Sequence, residues 1–292
     1  MVFSFELFGQ ALVTGILIGG IFALISVGLS LIWGVMRIIN FAHGEFLMIG
    51  MYIAYFLVAK GGWDPYLTIF VTAPALFLIG ILIFQSTIRP ILKDPPMNQI
   101  MLTVGLSLIL QNLALVFFKA DVLTANTAYT RLNFFLGGVV VRGSQLIAFV
   151  GSGLAAFLLY WFLQKTETGR AIRAASLNRD AATLVGINVR NTYLLAFGIG
   201  SASLGVAASL MIPFYYTSPT VGLFFGLIAY VVVVLGGLGN FPGALVAGLI
   251  IGLTESIGAS LLPGSLARVL TFGIFIIVLL LRPQGIFGGK QK

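Results

Sequence analysis

Long apolar runs separated by short polar stretches dominate this sequence. A membrane-spanning helix needs about 20 mostly apolar residues. Nine runs meet that need, at about 8–34, 41–59, 66–88, 97–118, 144–164, 191–212, 219–237, 243–261 and 266–282. The pattern predicts an all-α integral membrane protein, a bundle of about 8–9 transmembrane helices forming a single domain over residues 1–292. Between Asn191 and Thr254 there is no charge, and Gly and Pro interrupt the run. A broken or re-entrant segment is expected there, since membrane proteins tolerate one where backbone lines a cavity or packs on protein. An eight-span arrangement leaves one late segment uncrossed. The charge-free stretch from Leu7 to Met36 follows Glu6 without any Lys or Arg. It is too long for the apolar core of a cleavable signal and reads as the first span.

Composition agrees. Of 292 residues, 59% are hydrophobic and 8% charged, against about 25% charged in soluble domains, so part of the solvent is the lipid bilayer. The 36 glycines suit close helix contacts in lipid. A net charge of +8 would suggest nucleic acid in a soluble protein. Here the cations lie between apolar runs, and the bias of cytoplasmic loops toward Lys and Arg explains them without a nucleic-acid partner. With the N-terminus outside and nine spans, the inside loops hold Arg37, Arg89, Lys93, Lys165, Arg170, Arg173, Arg179, Arg190, Arg282, Lys290 and Lys292. The outside loops hold Lys60, Lys119, Arg131, Arg142 and Arg268. Eleven against five places the C-terminus and the 165–190 loop in the cytoplasm.

Chemistry-bearing motifs are scarce. Cysteine is absent and His43 is the single histidine, so neither a thiolate nor a multi-His metal site is expected. Gly236-Gly237-x-Gly239 lacks the Lys-Ser/Thr of a phosphate-binding loop. No HExxH occurs, nor a GxSG serine with a later histidine, nor GxGD. No catalytic residue, metal or cofactor of this chain is predicted.

Two polar segments interrupt the apolar pattern. One, about 119–143, contains Asp121, Thr124, Asn126, Thr127 and Asn133 and is a candidate face for a partner outside the membrane. The other, 165–190, is the most charged stretch of the chain. It reads as two short helices. Thr168 is the expected cap of the first. Asn178 caps the second, with Asp180 at the positive end of the helix dipole. Gly186 stops it, because glycine accepts the left-handed position after a helix. Ala181, Ala182, Leu184 and Val185 form an apolar ridge suited to a groove on another protein. For the flanking Arg170, Arg173 and Arg179, anchoring at lipid headgroups and pairing with acids on a cytoplasmic partner both remain open.

GRAIRAASLNRDAATLVGIN, from Gly169 to Asn188, resembles the cytoplasmic coupling segment of LivH-type permeases, the membrane subunits of branched-chain amino acid ABC importers. Asp180-Ala181-Ala182 with Gly186 matches the EAA-x-x-x-G pattern of ABC importer permeases, with Asp in place of Glu. INFAHGEFLMIGMY (39–52) and GGLGNFPGALVAGLIIG (236–252) resemble the same family, in the same order, so the likeness spans nearly the whole chain. The resemblance implies a bacterial or archaeal inner-membrane subunit without an ATPase of its own. It also implies a second homologous permease, two cytoplasmic subunits that bind the ATP, and a periplasmic solute-binding protein. Gly169, Arg170, Arg173, Asn178, Arg179, Asp180, Ala181, Ala182 and Gly186 would then couple to the ATPase. Branched-chain or other hydrophobic amino acids are the implied solutes. Related permeases move urea, short amides or other amino acids, and a stand-alone secondary carrier is the remaining alternative.

Ionisable residues at membrane depth are costly and usually face a cavity or the bundle interior. The candidates for a pathway are Asn40, His43, Glu45, Gln111, Asn112, Asn240 and Glu255. For His43 and Glu45 the competing reading is a helix start at the interface; for Glu255 it is pairing with a neighbouring helix.

Overall fold

The computed structural model describes residues 5–136, 138–262 and 266–288. Lys290 and Lys292, two of the cations expected inside, lie outside them. The described chain is mainly helical, with one hairpin and irregular connections. The helices are α1 (Phe5–Met36), α2 (His43–Ala59), α3 (Ile69–Ile83), α4 (Pro96–Phe118), α5 (Gly143–Lys165), α6 (Glu167–Leu177), α7 (Arg179–Leu184), α8 (Val189–Met211), α9 (Val221–Gly236), α10 (Phe241–Leu261) and α11 (Leu266–Leu281). A π turn, Phe84–Ile88, and a 3-10 turn, Arg89–Ile91, prolong α3. Strands β1 (Asn133–Leu136) and β2 (Val139–Arg142) pair antiparallel, with Asn133 opposite Arg142.

Nine helices match the nine predicted runs, and α6 and α7 occupy the predicted polar loop. Six spans, including α3 with its extension, have the length and apolarity to cross a membrane. The helices α2, α9 and α11 are shorter. The protein is a multi-pass membrane protein whose α1 and α8 are central, while α3, α4 and α5 turn apolar faces outward. Phe70, Met101, Val116, Phe117 and Phe157 are among the large side chains exposed there.

Small residues let the central helices approach. Gly15 and Gly19 on α1 face Gly248 and Gly252 on α10, two Gly-x-x-x-Gly pairs in register. A Cβ on Gly19 would lie 2.9 Å from the Leu249 Cα. Between lipid-solvated helices, such close packing supplies the attraction that hydrophobicity supplies in water. The α3–α8 seam adds buried hydroxyls. Thr68 donates to Ser209 Oγ at 2.8 Å, and Thr72 donates to the Gly205 carbonyl at 2.9 Å.

The chain breaks after Asn191, as expected, at residues 212–220 between α8 and α9, where Thr217 and Ser218 are buried. A second break, between α1 and α2, was not expected. Arg37 takes φ +56° and ends α1. Residues 38–42 then run back into the bundle, so that Ile38, Asn40 and Ala42 are buried. The next helix starts at His43, against the Ile25 carbonyl of α1. Ile25 lies about three turns, roughly 16 Å, from the end of α1, which is about half a bilayer core. The late apolar stretch contributes the short helix α9, whose N-terminal glycines meet the same point.

Candidate functional site

The start of α2 and the start of α9 meet deep in the bundle. A Cβ on Gly44 would collide with the Gly222 carbonyl and lie 2.8 Å from the Gly226 nitrogen. One on Gly222 would collide with the Glu45 carboxylate. Only glycine backbone lets the two helix N-termini sit this close. Each helix start is the positive end of its dipole, and Glu45 is in the first turn of α2.

Three predicted pathway residues converge here. Asn40, His43 and Glu45 are all fully buried or nearly so. His43 Nε2 is 3.1 Å from the Ile25 carbonyl. A carbonyl can only accept, so Nε2 carries the proton. Ser107 on α4 donates to Glu45 Oε1 at 3.2 Å. Among the described residues, the Asn40 amide, His43 Nδ1 and Glu45 Oε2 have no hydrogen-bond partner. Buried polar groups left in this state are costly, which makes the junction a candidate site.

Helix α4 runs beside α2 through a polar stripe of which the sequence reading named only Gln111. Thr103 donates to the Ile39 carbonyl at 3.1 Å and so serves the irregular 38–42 backbone. Ser107 follows four residues on, and half-buried Gln111 four further. The stripe ends where Phe118 stacks on Tyr52, ring centres 4.0 Å apart. The i, i+4, i+8 spacing of Thr103, Ser107 and Gln111 was the available signal. Asn112 is not brought to this group. It is exposed, and its amide donates to its own helix at the Leu108 carbonyl, 2.7 Å away.

Glu255 belongs to a second place, at the hairpin end of the bundle. A cavity of about 410 Å³ is lined there by Arg142, Arg268, Glu255, Phe22 and Phe225. Thr271 donates to Glu255 Oε2 at 3.4 Å, and the Arg268 guanidinium lies 4.9 Å from the Phe224 ring centre. Phe22 and Phe225 meet edge to face at 6.1 Å. Phe22 and Ile25 are three residues apart on one face of α1, so the cavity lies one turn from the junction. Asn240 is elsewhere again. It caps α10 by accepting from the Gly243 N–H at 2.9 Å, and it donates to the Phe287 carbonyl at 2.8 Å. It shares a cavity with Ser30, Gly34 and Arg173, near α5 and α6.

The hairpin end is tied down internally. Gln10 on α1 bonds both ways with the Val140 backbone, at 2.9 and 2.8 Å. Leu123 pairs with Thr217, and Tyr129 donates to Asp64 at 2.7 Å. That hydrogen bond holds the Tyr129 phenol above its ordinary pKa.

At the opposite end stands the helical pair α6–α7. Its first cap is Thr166, not Thr168. Thr166 Oγ1 accepts from the Gly169 N–H at 3.0 Å, while Thr168 is already inside α6. A Cβ on Gly169 would collide with the Leu163 carbonyl, and Arg173 donates to that same carbonyl. These two residues clamp α6 onto the end of α5. Asn178 caps α7 as predicted, accepting from the Asp180 and Ala181 N–H groups at 3.0 Å each. Gly186, at φ +84°, ends it. The Ile187 N–H returns to the Ala182 carbonyl and the Gly186 N–H to Thr183, both at 3.0 Å, which is a Schellman closure.

The apolar ridge differs from the predicted one. Ala182 is buried at 3% exposure and forms the seat of α7. Leu177, Leu184 and Val185 are exposed at 85%, 88% and 75%, and they make the outward face. Arg170, Arg179, Asp180 and Ala181 are exposed beside it. Arg170 pairs at 3.5 Å with Glu167.

Residues 11–279 match the family described as branched-chain amino acid transport system, permease component. The high-affinity branched-chain amino acid transport system permease protein BraD of Pseudomonas aeruginosa is 35% identical, over 97% of this chain and 96% of its own. The corresponding protein LivH of Escherichia coli K12 is 32% identical, over 99% and 98%. A probable branched-chain amino acid transport permease protein LivH of Methanocaldococcus jannaschii is 28% identical, over 95% and 91%. With a membrane bundle, a buried polar junction and an outward-facing helical pair all present, the chain belongs to the branched-chain amino acid transport permease family, the membrane subunits of ABC importers.

Proposed function

We propose that this chain carries branched-chain amino acids across a bacterial or archaeal inner membrane, as one permease of an importer driven by separate ATPases. The near full-length similarity to permeases named for that solute class is the observation that carries the substrate reading. The whole chain acts as one permease domain, with its C-terminus and the 165–190 loop on the cytoplasmic side. The end bearing α6 and α7 also bears Arg37, Arg89, Lys93 and Arg282, which supports this orientation. A second homologous permease completes the pathway, two ATPases bind the ATP, and a periplasmic binding protein delivers the solute at the hairpin end.

Mechanically, α6–α7 is the coupling unit. Leu177, Leu184 and Val185 enter a groove of the ATPase, with Arg170, Arg179 and Asp180 around them. Gly169 and Arg173 pass its motion to α5, and Gly186 to α8, which packs on α1, α2 and α3. Substrate enters by the cavity of Glu255 and Arg268. A zwitterion meets opposite charges there, and aromatic rings meet its apolar side chain. The junction of Asn40, His43 and Glu45, flanked by Gln111, is the gate beyond. Asn240, which caps α10, and Asn112, exposed on α4, lie apart from this junction.

A charge on the outward ridge tests the coupling. The Leu184→Asp variant should insert and fold normally, since Leu184 touches little of its own chain, yet lose about 90% or more of leucine uptake and ATPase co-purification. Normal uptake in proteoliposomes of the full complex would sink the assignment.

A further inference from the structure

A cavity of about 570 Å³ opens between the end of α3, α7 and the start of α8. Four cations line it: Arg89 and Lys93 from the turn after α3, Arg179 from α7 and Arg190 from α8. Gln85, Thr183 and Tyr193 add polar groups, and no carboxylate is among the lining residues. Among the described residues, the one ion pair is Arg170–Glu167, so none of the four is held in an ion pair, although Asp180 is near enough to act on Tyr193. Like charges gathered into one concavity repel unless an anion joins them.

Two observations say which anion. The cavity begins where the apolar run of α3 ends, and the end of a spanning apolar run is where a helix meets the headgroup region. Leading up to it, α3 presents Leu78 and Leu82 outward at 59% and 65% exposure, and the start of α4 presents Met97 and Met101 at 61% and 66%. A soluble anion has no use for this apolar approach, whereas acyl chains do. The π turn at Phe84–Ile88 alters the winding just before Arg89, and π turns frequently accompany functional sites.

We propose that this cavity binds the phosphate of an anionic glycerophospholipid, with its acyl chains along the outer faces of α3 and α4. Guanidinium forks hold phosphate oxygens in pairs. Basic pockets between spanning helices on the cytoplasmic side are suited to such headgroups. Because Arg179 lies on α7 and Arg190 on α8, the lipid ties the α3 corner to the coupling unit.

The test uses the purified importer complex in nanodiscs containing spin-labelled phosphatidylglycerol or phosphatidylcholine. The wild type should enrich the anionic lipid by about 5-fold or more. Lys93→Gln with Arg190→Gln should bring that ratio near one, and Lys93→Gln alone, at an exposed position, should lower it part way. Lys60→Gln, at the other end, should leave it unchanged. Equal binding of the two lipids by wild type overturns the proposal, and so does selectivity surviving the double substitution. Displacement by millimolar inorganic phosphate would assign the site to a free anion instead. Loss of ATPase binding with lipid selectivity intact would assign the cations to a protein contact.

Discussion

The α2–α9 junction and the α6–α7 unit are built on opposite principles. In α6–α7, most polar backbone ends are satisfied locally: Thr166 and Asn178 cap, and Gly186 closes a Schellman turn. The unit then presents apolar side chains outward, where a partner would cover them. In the junction, apolar packing is complete and the polar groups are left over. Asn40, His43 and Glu45 retain unpaired atoms in the interior, between two helix starts that only glycine allows to touch. A surface made for another protein can be locally self-sufficient. The junction keeps unused hydrogen-bonding capacity at a cost in stability, as a site proposed to admit a polar solute would.

This contrast predicts a graded set of responses. The largest effect is expected for Gly44→Val. Its side chain would meet backbone on α9, which cannot yield as a flexible side chain does. Overpacking that forces backbone to move costs about 1–3 kcal/mol, so thermal stability of the purified complex should fall and uptake should be lost. Gly186→Val sharpens the comparison. Gly186 has open space around it, so a substitution there is strained only by the φ of +84°. That variant should assemble in the membrane with normal melting of the bundle but weaker ATPase stimulation. Normal stimulation would mean that the α7 stop is not needed for coupling.

Asn178→Ala should have an intermediate effect. Loss of this cap is worth about 1 kcal/mol of local helix stability. Hydrogen exchange at residues 179–184 should accelerate while exchange in α1 and α8 does not. Glu167→Gln should do least. It removes the exposed Arg170 pair, and such surface pairs contribute little. Uptake and melting indistinguishable from wild type are expected, and a clear loss would show that Glu167 contacts a partner directly.

The two regions were also unequally legible. The α7 caps and stop could be read from Asn178, Asp180 and Gly186, because a cap depends on residues within one turn. The first cap was misplaced by two residues, since Thr166 and Thr168 are equivalent by type and only the α5–α6 corner chooses between them. Ala182 was assigned to the ridge because spacing alone does not say which side of a six-residue helix faces its own protein.

The junction was legible only as a list of costly residues. His43 and Glu45 were singled out because ionisable groups are rare at membrane depth. Ser107 and Thr103 escaped, as hydroxyls on apolar helices are common, and their role depends on what α2 leaves unpaired. Asn240 and Asn40 were both pathway candidates; in the fold one caps α10 and the other is a buried amide without a partner among the described residues.

By itself, the sequence determined the solvent, the nine apolar helices, the polar pair of short helices and the family. These follow from composition, span length, local capping and motif, all properties of neighbours in the chain. Only the tertiary structure decided that the chain turns back at Arg37, that α2 starts half-way along α1, and that Glu255 and the four basic residues line separate cavities. Those features depend on glycines more than a hundred residues apart meeting backbone to backbone, which no local pattern encodes.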